Sequence, residues 1–316
     1  MKNKLTISLI ILAALAVGFA SAKFLKSEKE EMVNIFEEPT ILPKTYSVLP
    51  MSDSIQIVYP LVFKGELSFA GETVPLNDPE IAERLDRELQ VNVYWHSNTL
   101  LNMKLANRYF GTIEKILAEE GVPNDFKYLP LIESGFRDAV SPAGAAGFWQ
   151  FLPATAKLHG LEVNEDVDER YNIEKATRAA CAYLKQAKAK LGSWTAAAAS
   201  YNIGIAGMET RMKTQRTNNY YDLLLTSETS RYVFRMLATK VIFDNPTQTG
   251  FYINTTELYQ PYQYNSAVVD SSVSDIAGFA EQFGLRYKHI KLLNPWLRSN
   301  ALPNKSKKQY EIKLMH

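Results

Sequence analysis

The sequence predicts a mainly α protein, with a helical domain over residues 79–245 followed by a small α+β module of βααβ order over residues 264–316. Three observations predict it. From Asn77 onward apolar residues recur at spacings of three and four, the mark of helices that bury one stripe. Glycine and proline stand where the stripes stop. The C-terminal stretch instead reads as a short strand, two short amphipathic helices and a last strand.

Taken in order, Lys2 and Lys4 precede an apolar run from Leu5 to Ala20 that ends in Ala20-Ser21-Ala22, the small-x-small pattern of a signal-peptidase site. The chain is therefore expected to be exported to the periplasm or cell envelope. The run is short for a membrane span, which usually needs about 20 residues, so residues 1–22 read either as a cleaved signal or as a retained membrane anchor. Residues 23–78 hold Pro39, Pro43, Pro50, Pro60 and Pro75 among mixed polar residues and read as an extended lead-in, with only "SIQIVYPLVF" resembling a strand.

In "NTLLNMKLANRYFGTIEKILAEEGVP", Leu101, Leu105, Ile113, Ile116 and Leu117 keep the helical period, and Gly121 with Pro123 supplies the stop. "IEKATRAACAYLKQAKAKLG" stacks Ala176, Ala180, Tyr183, Leu184, Ala187 and Leu191 on one side and ends at Gly192. "WTAAAASYNIG" and "SRYVFRMLATKVIFDNP" read as two further buried helices. The helices are complete by Asn245, and residues 246–263 read as a linker, so a chain ending near Gln260 is expected to fold without the module.

The 316 residues, 46% hydrophobic and 22% charged, suit a globular chain with a sizeable core. Lysine plus arginine (35) nearly cancels aspartate plus glutamate (34), so no whole-chain field favours nucleic acid as a partner. Cys181 is the only cysteine, which excludes an intrachain disulfide and a thiolate metal cluster. His96, His159, His289 and His316 lack ligand spacing, and neither a metal nor another cofactor is expected.

One acidic residue stands out. On a helix through residues 124–136, Leu129, Ile132, Glu133 and Phe136 share a stripe, which would bury the carboxyl and raise its pKa toward the range of a general acid. The competing reading has Glu133 in solvent, paired with Arg137 one turn on. The following "SPAGAAGFWQF" sets small residues before Trp149 and Gln150, and "AAAASYNIG" likewise leads to Tyr201 and Asn202. Aromatics, amides and one protonated carboxyl suit sugar rings, which offer flat C–H faces and many hydroxyls.

"ESGF", "SPAGAAGFWQFLPATA", "AAASYNIG" and "SETSRYV" stand in the order of E-S-x-F, S-x-x-G-A-x-G-L-M-Q-x-x-P-x-T-A, A-A-Y-N-A-G and E-T-x-x-Y-V. In this the chain resembles the soluble lytic transglycosylases, glycoside hydrolase family 23, over about residues 79–245. Ser200 before Tyr201 and Ile203 before Gly204 depart from the usual small residues. The resemblance implies a lysozyme-like fold, peptidoglycan glycan strands as substrate, and cleavage without water to leave 1,6-anhydromuramoyl ends. It implies Glu133 as acid and then base, with Ser134 holding its helix. Ser141, Gln150, Tyr201 and Glu228 would contact sugar, and Asn202 would support the tyrosine loop. Trp149 would either stack on sugar or sit in the core. Two alternatives stay open: a lysozyme-type hydrolase of the same bond, and a non-catalytic peptidoglycan-binding protein.

The C-terminal module is similar to a lysin motif, a βααβ sugar-binding fold, through S-x-x-D-I-A, "LLNP" and "YEIKL", with Ile276, Phe279, Ala280 and Phe283 expected inward. The usual G-D-T-L start reads "DSSV" here, which leaves glycan binding and a packing cap as equal possibilities.

Overall fold

A computed structural model describes residues 59–316; the expected signal or anchor segment lies outside the described residues, as does the first half of "SIQIVYPLVF". Residues 59–63 of that stretch form no strand. The lead-in is not simply extended. Ser68–Phe69 (β1) and Glu72–Thr73 (β2) pair as a small antiparallel hairpin, and Phe69 is fully buried in the main core.

Pro79–Tyr94 (α1) starts where the Asp78 side chain accepts from the Glu80 amide at 2.9 Å, with proline at the first helical position. Its buried Ile81, Leu85, Leu89 and Val93 lie four apart, along one stripe. His96–Glu119 (α2) buries Met103, Ala106, Ile113, Ile116 and Leu117, while Leu101, expected inward, is exposed. Tyr128–Ser134 (α3) carries Glu133 and follows a 3-10 turn over Asn124–Lys127, so the single helix expected from residue 124 is two pieces. Pro130 is tolerated because first-turn amides have no helical partner to lose.

After the short Pro153–Leu158 (α4) come Ile173–Leu191 (α5), Trp194–Ile203 (α6), Ile205–Gln215 (α7) and Ser227–Asp244 (α8). The helix α6 is the centre of the domain, packing against α5, α7 and α8. Its Ala196, Ala197, Ala198 and Ala199 are fully buried, and such small side chains let the flanking helices come close. Ser193 caps it by accepting from the Ala196 amide at 3.1 Å, and Glu72 of the hairpin accepts from the Trp194 and Thr195 amides at 2.6 and 2.8 Å. The hairpin thus supplies charge at the helix start, where it is favourable.

The C-terminal module has the expected order: Tyr264–Val269 (β3), Ile276–Glu281 (α9), Tyr287–Leu293 (α10) and Tyr310–Met315 (β4), with β3 and β4 antiparallel from Tyr264↔Met315 to Val269↔Tyr310. Ile276 and Ala280 are buried, but Phe283 lies beyond the end of α9 and is exposed.

The module is welded on rather than tethered. Its core of Val269, Ile276, Ile290, Trp296, Leu297 and Ile312 includes Ala146, Val167 and Tyr171 from the helical domain. Backbone bonds cross the junction from the Asp168 amide to the Trp296 carbonyl (2.9 Å) and from the Arg298 amide to the Asp166 carbonyl (2.8 Å). Lys308 reaches Glu162 at 2.5 Å and Glu169 at 3.1 Å, and Lys313 pairs with Glu174. The segment 246–263, expected as a linker, is fastened to α2: Arg108 donates to the Gln260 carbonyl at 3.0 Å and to the Tyr262 hydroxyl at 3.1 Å. Residues 59–316 form one compact unit, an arrangement in keeping with the packing-cap alternative for the module. Among the described residues no helix is long and apolar enough to cross a membrane.

Candidate active site

The helix α3 ends at Gly135, whose φ of 59° opens the chain into a left-handed turn that glycine adopts at little cost. Because the helix stops there, Arg137 is not one helical turn from Glu133; it donates to Asn98 Oδ1 at 3.3 Å, and the solvent-facing ion pair does not form. Glu133 is half-buried instead. Burial holds its carboxyl above the ordinary range, aided by the nearby Glu228 charge and opposed by the Tyr232 hydroxyl and the Arg235 guanidinium. The Tyr232 hydroxyl donates to Glu133 Oε1, and Arg235 is oriented by donating to the Ile132 carbonyl at 2.7 Å.

Glu133 opens on a cleft of about 420 Å³ that also presents Glu228, Arg235, Trp95 and Asn102. Its back is braced by Glu88, buried on α1, which accepts from Arg87 at 2.7 Å and from Arg231 at 2.6 and 3.2 Å. The Ser134 hydroxyl lies 3.0 Å from both the Pro130 and the Phe148 carbonyls and accepts from the Phe136 amide at 3.1 Å.

The small-residue loop, residues 139–152, folds back on itself. Ser141 accepts from the Ala145 amide at 3.0 Å, and Gln150 donates to the Ala139 and Gly147 carbonyls at 3.0 and 2.9 Å. Both side chains, expected on sugar, are occupied with the loop's own backbone, and neither lines the cleft. Arg170 holds the loop from behind, donating to the Gly144 and Phe151 carbonyls at 2.8 and 3.0 Å while Asp168 neutralises it at 2.7 Å. The fit requires glycine at 147, since a Cβ there would lie 1.9 Å from the Arg170 carbonyl oxygen.

Trp149 is in the core, fully buried, with Nε1 donating to Thr177 Oγ1 at 2.9 Å, so its ring is not available to a ligand. Tyr201 donates to the Trp149 carbonyl at 2.8 Å. Burial pushes its phenol well above the ordinary range and the Glu133 charge pushes in the same direction, so it stays neutral near the acid. Asn202 accepts from Thr229 at 2.7 Å and ties α6 to α8.

Of the residues singled out in the sequence, Glu133, Ser134 and Glu228 thus meet in the cleft, with Tyr201 close behind. Ser141 and Gln150 bond to their own loop, Trp149 is in the core and Asn202 ties α6 to α8. Tyr232 and Arg235 were not foreseen, although "SETSRYVFR" places Glu228, Tyr232 and Arg235 at i, i+4 and i+7 on one face of α8.

Residues 84–224 match the transglycosylase SLT domain, and residues 265–315 match the soluble lytic transglycosylase C-terminal LysM-like domain. The chain is 28% identical over 244 residues to membrane-bound lytic murein transglycosylase D of Escherichia coli strain K12, covering 74% of this chain and 52% of that protein. The same protein of E. coli strain CFT073 matches equally. The chain spans about half the length of these curated relatives. A solved structure of an inactive mutant of the lytic transglycosylase Slt from Pseudomonas aeruginosa aligns over 48% of this chain and 26% of its own, at 18% identity and a TM-score of 0.33. The chain is therefore similar, in that order, to a transglycosylase SLT domain and to the LysM-like domain found at the C-terminus of soluble lytic transglycosylases.

Proposed function

We propose that this protein is a peptidoglycan lytic transglycosylase that cleaves the bond between N-acetylmuramic acid and N-acetylglucosamine, with Glu133 as its acid and then its base. The observation that carries the reading is the Glu133 carboxyl, raised by burial and held by a tyrosine hydroxyl at the mouth of a polar cleft. A carboxyl that keeps its proton to a higher pH than an exposed one can give it to the glycosidic oxygen. The resulting carboxylate then takes the proton of the muramoyl C6 hydroxyl as that oxygen closes on C1, leaving a 1,6-anhydro end. Neutral Tyr232 donates its hydroxyl to the carboxyl and steadies the charge left when the proton departs, while Tyr201, whose hydroxyl is committed to the Trp149 carbonyl, stays uncharged nearby. Ser141, Gln150 and Asn202 act by holding the walls, a positioning role rather than the sugar contact the motifs imply. The SLT domain match and the E. coli relatives named as murein transglycosylases support the same substrate. The charged and apolar N-terminal segment supports export to the cell envelope, by a cleaved signal or an anchor.

A second reading is favoured by Glu228, a second carboxylate in the cleft. It would serve a lysozyme-type hydrolase by activating water. Digestion of purified glycan strands followed by mass spectrometry of the ends separates the two by one water. Anhydro ends are expected. Reducing ends would establish hydrolysis, and binding without cleavage would establish a wall-binding protein.

A further inference from the structure

Arg170 is the one buried arginine among the described residues, 8% exposed, and the chemistry proposed for the cleft does not use it. Its Nε and Nη2 hold the buried Asp168 carboxylate at 2.9 and 2.7 Å, while Nη1 donates to the Gly144 and Phe151 carbonyls at 2.8 and 3.0 Å. A buried ion pair is a weak source of stability, because desolvating two charges offsets most of their attraction. What a planar guanidinium does supply is a fixed direction for each bond. Arg170 thereby fixes the loop on both sides of Gly147, which packs on the Arg170 carbonyl oxygen. Between Gly147 and Phe151 lie two carbonyls that bear on the neighbours of the acid. The Phe148 carbonyl accepts from the Ser134 hydroxyl at 3.0 Å, and the Trp149 carbonyl accepts from the Tyr201 hydroxyl at 2.8 Å. Ser134 follows Glu133 in the chain, and Tyr201 lies within the field of the Glu133 carboxyl.

The C-terminal module grips the same segment from outside. Besides the backbone bonds from Asp168 to Trp296 and from Arg298 to Asp166, the Arg298 guanidinium lies 4.2 Å from the centre of the Tyr171 ring. Ala146, next to Gly147 in the loop, is itself part of the module's core. We propose that Arg170 is a positioning residue through which the docked module sets the loop beside Glu133, so that the module acts on the chemical step and not only as a cap. The inference rests on reading Glu133 as the acid, and it adds what holds the neighbours of that acid in place.

The test is steady-state turnover of soluble glycan fragments by the full chain, with circular dichroism confirming that each variant is folded at the assay temperature. Arg170→Lys is the first variant. Lysine keeps the charge that neutralises Asp168, but it presents all its donors from one nitrogen and cannot serve the carboxylate on one side and both carbonyls on the other. It should lower kcat about tenfold and leave KM within about twofold, since the loss falls on the placement of the acid rather than on binding. Ser134→Ala should lower kcat by a similar factor, and the double variant should be no worse than the poorer single one, because both break one tie. A fall in kcat that merely reflected a looser fold would multiply instead. From the module side, Leu297→Ala, which empties the contact opposite Val167, should lower kcat in the wild type but not further in Arg170→Lys. If that variant melts below the assay temperature, Lys308→Ala, which removes the ion pairs to Glu162 and Glu169, takes its place. Unchanged kcat in Arg170→Lys, or effects that multiply in either pairing, overturns the positioning role. End-group analysis of the wild type judges the enzyme reading separately. Anhydro ends with unchanged kcat in Arg170→Lys would remove the positioning role and leave the reaction. Reducing ends with the same non-multiplying pattern would remove the transglycosylase reading and leave Arg170 in its role, and no cleavage by the wild type would remove both.

Discussion

Glu133 in the cleft and Glu162 at the module junction are the same side chain with a tyrosine hydroxyl on each, yet their carboxyls move in opposite directions. Burial raises Glu133, and the Tyr232 hydroxyl and the Arg235 field do not undo it. Burial also acts to raise Glu162, but the Lys308 ammonium at 2.5 Å and the Tyr310 hydroxyl at 3.0 Å bring it below its ordinary range. The difference is a cation in direct contact. A carboxyl with one is a fastener, while a carboxyl denied one holds its proton longer and is available for acid chemistry.

The strongest way to break the comparison is Glu133→Gln, which keeps the shape and removes the transferable proton. Turnover on glycan strands should fall by at least about 100-fold with the fold retained. Because the folded carboxyl binds its proton more tightly than the unfolded one, Glu133 costs stability as pH rises from the ordinary carboxylate range to its raised folded value. Glu133→Gln should therefore melt above the wild type by a margin that grows across that window. Thermal melts of the two proteins over pH check this, and near-wild-type turnover would remove the assignment.

Removing the module is the next largest change. A chain ending at Gln260 loses Trp296 and Leu297, which cover Val167 and Tyr171, and a buried side chain such as valine contributes about 1.5–3 kcal/mol. It should melt earlier by more than about 5 °C and lose activity on soluble fragments as well as on sacculi. Full fragment turnover with an unchanged melt would restore the picture of two independent domains.

A finer test is Tyr232→Phe. The lost hydroxyl was stabilising the Glu133 carboxylate, so the alkaline limb of the pH–rate profile should move to higher pH. An unmoved limb would show that the hydroxyl does not govern the acid.

Smallest of all, Glu162→Gln should cost no more than about 1 kcal/mol at neutral pH, since the Lys308 partner is 40% exposed. The folded Glu162 carboxyl is lowered, so its contribution is present above the ordinary carboxylate range and is lost as pH falls through the folded value. The variant should accordingly show a shallower loss of stability in acid, measured by denaturant melts.

The helices could be read because each buries one stripe, and periodicity survives in the sequence. Glu133 stood out for the same reason, as a charge among apolar neighbours. The beginning of α3 was lost because a 3-10 turn at Asn124–Lys127 carries the same apolar spacing into a tighter winding. Trp149 stayed undecided because its burial depends on Thr177 of α5, 28 residues away. Tyr232 was absorbed into the core stripe of α8, since spacing reports a face but not that one hydroxyl on it meets a carboxyl. A packing cap could be read only as one of two possibilities, because Lys308, Glu162, Lys313 and Glu174 are the residues that usually coat a surface, and only the tertiary fold brings them together.

The Arg170 clamp bears on how such a protein can be recombined. The same short segment, residues 166–171, bonds forward to Trp296 and Arg298 of the module and back to the carbonyls of Gly144 and Phe151. A hybrid that grafts another sugar-binding module at the 246–263 boundary would leave that segment facing the wrong surface. The unit of exchange is therefore the module together with residues 162–171, so a successful chimera must be cut inside the helical domain rather than at the apparent linker.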